Sequence, residues 1–150
     1  MKTKFTLCIA IFFLINSMSF AQKKKSTESI ISGKVNITKY HNHKQLDKMS
    51  KGDLLELYIE RIEVIVNILP NIAFATKPGV TMATLGIPES KENRKALENN
   101  REASVNYFES TVEYQKTILP YSDTRDLIAA ILFYEETLKS LHTYNDYKTD

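Results

Sequence analysis

Four carboxylates, Asp53, Glu56, Glu60 and Glu63, recur at helical spacing in the middle of the chain, the densest run of side chains able to hold a metal or move a proton. A carboxylate-bridged metal bundle needs Glu-x-x-His pairs that project into one interior site, and the sequence contains no Glu-x-x-His. At 100° per residue these acids share an arc of about 80° with Asn67, opposite an apolar arc of about 220°, so the stripe faces solvent or a basic partner. His41 and His43 flank Asn42 and share a face if that stretch is extended; the remaining histidine is His142. A structural zinc site wants four ligands, which leaves no metal and no cofactor expected. Nucleophilic catalysis lacks its signatures as well. There is no Gly-x-Ser-x-Gly elbow, and Gly33, Gly52, Gly79 and Gly86 are too scattered for a phosphate-cradling loop. No catalytic residue is assigned.

Two arginines stand out. Arg61 lies inside the 220° apolar arc, of about that width on a helical wheel, and Arg101 on the inward stripe of the next helix. A guanidinium on a buried face must find a carboxylate, find carbonyls, or keep its head in water at an edge. Internal pairing is the plain expectation, and an anion site using Arg61 and Arg101 with tyrosines around them is the alternative. Tyr107, Tyr114, Tyr121, Tyr134, Tyr144 and Tyr147 offer aromatic surface, although helical tyrosines mostly bury their rings at the edge of a core.

These residues are positioned by three helical patterns. The first runs over 52–69 and ends at Pro70. Its Ile62–Val66 stretch is β-branched, yet one polar stripe at 3.6 spacing explains every acid from Asp53 to Glu63 and favours helix over strand. The second runs over 88–119, with Glu89 and Glu92 in its first turn, where the dipole favours anions. Its inward stripe collects Leu97, Ser104, Phe108, Thr111, Val112, Gln115, Ile118 and Leu119, and is apolar only after Ala103. The third runs over 123–144, capped by Ser122 or Asp123, with Leu127, Ile131, Tyr134, Leu138 and Leu141 as its seam. A short join at Pro120 predicts that the second and third helices fold into an αα-hairpin crossed by the first, an all-α, three-helix antiparallel bundle. Between the first two helices lies a long 70–88 loop, in which Lys77-Pro78-Gly79-Val80 reads as a type II turn and Thr81–Leu85 as one helical turn stopped by Gly86.

The chain has 150 residues, 43% hydrophobic and 25% charged, with 20 Lys+Arg, 18 Asp+Glu and one Cys. That suits one compact domain and excludes collagenous, wholly disordered and disulfide-scaffold classes. Residues 1–21 read as a signal peptide: a basic start, an apolar run from Phe5 to Ile15, and small residues Ser19 and Ala21 before a cleavage point. An uncleaved anchor is the other reading. Cleavage would remove Cys8, Lys2 and Lys4, leaving no thiol and balanced charge, so nucleic acid is not an expected partner. Residues 22–51 form an irregular basic N-terminal arm with eight Lys against Glu28 and Asp47, including a weak alternation at Val35–Tyr40. Residues 52–150 form the helical domain, net acidic and able to attract the arm.

The expected function is that of an exported, periplasmic or extracellular, non-enzymatic module that binds a protein in the cell envelope or outside the cell. Lys77, Thr81, Met82 and Asn93 are the candidate contact residues, because a long loop and a helix half without a core face are not needed by the fold.

Overall fold

A computed structural model describes residues 28–33 and 35–147; for 145–147 only the backbone is described. The signal-peptide reading, the first residues of the arm and Tyr147's side chain lie outside that description. Among the described residues the fold is all-helical, with three long helices, one short helix and no strand. The short helix is α1 (His43–Leu46) and the long ones are α2 (Lys51–Ile68), α3 (Lys91–Ile118) and α4 (Thr124–Ser140).

Helix starts follow cap chemistry. Ser50 Oγ accepts from the Asp53 amide while Asp53 Oδ2 accepts from the Ser50 amide, each at 3.2 Å, a reciprocal box that sets the start of α2. Asn42 and Gln45 make the same box for α1, inside the stretch expected to be irregular. Ser90 caps α3, so that helix begins three residues later than residue 88 and Pro88 belongs to the approach. Asp123 caps α4 through the Arg125 amide at 2.8 Å. After Ser140 the chain tightens into a 3-10 turn, Leu141–Tyr147, in place of the last turn of the expected helix. In the 70–88 loop, Gly79 at φ 97° and Gly86 at φ 70° adopt left-handed conformations that side chains resist, as the type II turn and the helix stop require. The Val35–Tyr40 alternation makes no strand, and among the described residues the one isolated bridge is Ser29 to Thr81.

Burial is uneven. Leu46 joins Leu54 and Leu57 of α2 and Leu127, Ile128 and Ile131 of α4 in one apolar cluster. A second cluster gathers Ile30, Ile31 and Val35 with Val64, Ile68, Ala75 and Leu138. The arm is therefore part of the core: the wide apolar face of α2 is covered by the N-terminal segment as well as by helices. α2 lies against both α3 and α4, whereas α3 and α4 make few close approaches to each other. The expected hairpin packing of those two helices is thus replaced by packing of each on α2. Lys51 Nζ donates to the Pro120 and Ser122 carbonyls, at 2.6 and 2.7 Å, and ties the start of α2 to the corner between them. No described helix is long and apolar enough to cross a membrane.

Candidate functional site

Between the two apolar clusters sits a buried ion pair. Arg61 is 1% exposed and Glu135 fully buried. Arg61 Nε and Nη2 donate to Glu135 Oε1 at 3.0 and 2.8 Å, Nη2 also donates to the Lys39 carbonyl at 2.7 Å, and Nη1 donates to Glu60 Oε1 at 2.9 Å. The His41 amide donates to Glu135 Oε2 at 2.5 Å, and His41 Nδ1 lies 3.0 Å from Oε1. Both charges are thereby satisfied without water, the condition under which an ion pair survives burial. Burial alone pushes the Glu135 carboxyl up, but the hydrogen bonds from His41 and Arg61 and the Arg61 charge outweigh it and hold the group below its ordinary range. Tyr40, beside this network, has its phenol pushed up by burial, with the Lys139 ammonium 5.3 Å from its ring centre.

The network joins the N-terminal segment to α2 and α4, which is a structural task. Arg61 meets its carboxylate inside the molecule, and its guanidinium is taken up by the chain's own oxygens. Arg101 is likewise engaged: Nη1 meets Glu28 Oε2 at 2.7 Å, Nη2 donates to the Ser29 carbonyl, and Nε is buried with no protein partner. The two arginines sit in separate networks. Each fastens the segment that carries Ile30, Ile31 and Val35.

The acids of α2 do not converge. Asp53 serves the cap, Glu60 holds Arg61, and Glu56 and Glu63 are exposed. Among the described residues no arm lysine forms an ion pair with them. His43 turns to Asp47, at 2.8 Å, while His41 turns inward to Glu135, so the two imidazoles do not share a face. Among the described residues no cluster of three or more His, Cys, Asp or Glu is arranged to hold a metal.

The loop candidates separate. Met82 is buried, 8% exposed, and is removed from the surface it was expected to line. Thr81 is half-buried and exchanges hydrogen bonds with Thr84, its amide donating to Thr84 Oγ1 at 2.8 Å. Asn93 closes the start of α3, its Nδ2 donating to the Pro88 carbonyl at 2.8 Å. Lys77 is exposed, at the rim of a small groove of about 140 Å³ walled by Val35, Ile37, Val64, Ile68 and Leu138.

Several of the exposed large apolar groups lie on α3. None of its 28 residues is buried, and Val105, Tyr107, Tyr114 and Ile118 are large apolar or aromatic groups exposed by 51, 62, 61 and 45%. The inward stripe read from the sequence is the half-buried side, Leu97, Arg101, Ser104, Phe108, Thr111, Val112 and Gln115, but Ile118 lies outside it. Tyr121, just beyond the helix, is 88% exposed. Tyr134 instead turns to Tyr58, hydroxyl to hydroxyl at 3.4 Å, and burial with that bond pushes the Tyr58 phenol well up.

Sequence reasoning missed Glu135. The signal was present, because Glu135 lies four residues after Ile131 and three before Leu138, on the apolar seam of α4, as Arg61 does on α2.

Against known proteins, no family model matches the chain, and neither a curated protein nor a solved structure shows significant similarity to it.

Proposed function

We propose that the protein is a non-enzymatic interaction module whose contact surface is α3, with the exposed rim of the 70–88 loop beside it. One observation carries the reading: a helix of 28 residues, with no residue buried, still presents tyrosines and an isoleucine to solvent. A helix that only spans between elements has no use for exposed apolar groups, and aromatic side chains are enriched where proteins bind one another. In this reading the three long helices form an antiparallel bundle with α2 central, and the chain is exported by residues 1–21 to the periplasm or beyond, where its partner protein resides.

The reading is tested with a photo-crosslinking residue placed in turn at Tyr107, Lys77, Asn93 and, as a control on α4, Glu136. In cells that make the protein, adducts of higher mass should form from the α3 and loop positions and not from Glu136. Equal labelling from all four positions, or none from any, removes the reading.

A further inference from the structure

We propose that the groove between the N-terminal segment, the 70–88 loop, α2 and the end of α4 is a binding site for a small free monocarboxylate with an apolar tail of about five to seven carbons. The site is separate from α3 and stands without the reading of that helix as a contact surface. Its floor is Val35, Val64, Ile68 and Leu138, four buried apolar side chains from three segments of the chain. A water molecule needs two to four polar partners, and such a floor supplies none, so apolar matter is what it takes up. The volume of about 140 Å³ is close to the roughly 150 Å³ of an apolar cavity that admits benzene, which sets the buried part of the occupant at about six carbons.

Polarity is confined to the open side. The exposed residues of the lining are Asn36, Lys77 and His142, and the lining contains no Asp or Glu. Lys77 gives the mouth its sign. Among the described residues its ammonium has no ion pair, whereas Lys139, which lies over the ring of Tyr40 in the same wall, is answered by Glu136 Oε1 at 2.6 Å. A carboxylate at the mouth meets an unanswered cation, with side-chain donors of Asn36 and His142 in the same rim. An amine of the same shape meets like charge there, and an alcohol meets none of the attraction. The walls are also fastened before any ligand arrives. Tyr40 stands between the Lys39 carbonyl, which accepts from Arg61 Nη2 at 2.7 Å, and the His41 amide, which donates to Glu135 Oε2 at 2.5 Å. The loop that carries Lys77 is tied in turn, the Gly79 amide donating to Ser29 Oγ at 2.9 Å and the Ile30 amide to the Val80 carbonyl at 2.7 Å. Little freedom is lost when a ligand enters so firm a groove, while its small size holds the dissociation constant to about 0.1–1 mM.

The test is a titration of the full, methyl-labelled chain with sodium octanoate, followed by methyl NMR. Shifts should saturate and be confined to Val35, Ile37, Val64, Ile68 and Leu138. Octylamine and octanol should bind at least tenfold more weakly. Lys77→Glu, at an exposed site, and Thr76→Trp, which fills the groove from a half-buried one, should each weaken octanoate at least tenfold with an unchanged circular dichroism spectrum; Lys116→Glu on α3 should not. Acetylglycylleucine presents an apolar side chain beside a carboxylate as a protein chain end does, and its extra peptide groups find no partners in an apolar groove, so it should bind at least tenfold more weakly than octanoate. No saturable shift up to about 10 mM octanoate overturns the proposal, as do shifts centred on Val105 and Ile118 of α3, or binding that survives both groove variants. Equal or tighter binding of the dipeptide assigns the groove to a chain end and overturns the free acid.

Discussion

Arg61 and Glu135 each lie where a hydrophobic residue would pack, so their value lies in mutual satisfaction. Removing one leaves the other charged in an apolar layer, and Arg61→Leu or Glu135→Leu alone should lower unfolding free energy by about 3–5 kcal/mol. The double replacement leaves no orphan charge and should recover most of that loss; urea denaturation of the three variants measures both outcomes. The Glu135 carboxyl, held below its ordinary value of 4.5, also sets a pH dependence. Its contribution is complete above that value, where the unfolded chain is ionised too, and is lost as pH falls through the lower value of the folded state. Urea midpoints between about pH 7 and pH 3 should therefore fall on the acid side, and more shallowly in Glu135→Gln. The sequence makes half of this legible. Arg61 is visibly out of place on α2, but its partner stands 74 residues away on another helix, and helical periodicity says nothing about which seams face each other.

At the level of elements, α2 and α4 carry the core and α3 does not. Ile131 is fully buried, and Ile131→Ala should cost about 2–5 kcal/mol of stability. Phe108→Ala removes a larger side chain from a half-buried position on α3 and should cost less, a ranking read from thermal midpoints of the two variants. The wheel of α3 gave the correct inward side yet said nothing of depth, since depth depends on how closely neighbours approach. Of the caps only Asp123 was read: Ser50 and Ser90 are local polar signals that the periodicity passed over, and α4 yields to a 3-10 turn without any breaker in Leu141–Tyr144. The αα-hairpin failed for a related reason. A short join makes two helices neighbours in sequence, but here each approaches α2 more closely than it approaches the other.

For the molecule as a whole, the core depends on a segment that composition marks as a solvated basic arm. Ile30, Ile31 and Val35 are sparse among lysines, so no periodicity announces them, yet all three are buried. Arg101→Ala removes the tie to Glu28 and the Ser29 carbonyl, and should make residues 28–33 cleavable by limited proteolysis while the circular dichroism spectrum is kept. Hydrogen exchange should in turn divide the protein, with amides of α3 exchanging well before those of α2 and α4. The tie between His41 and Glu135 carries an implication for biosynthesis. A ribosome delivers the docking partner of residue 41 only after 94 more residues have been joined, so the nascent chain presents residue 41 and Arg61 well before the carboxylate that joins them exists. Completion of α4 is what closes this network, and a polypeptide released before that helix would leave Arg61 and residue 41 without their shared carboxylate.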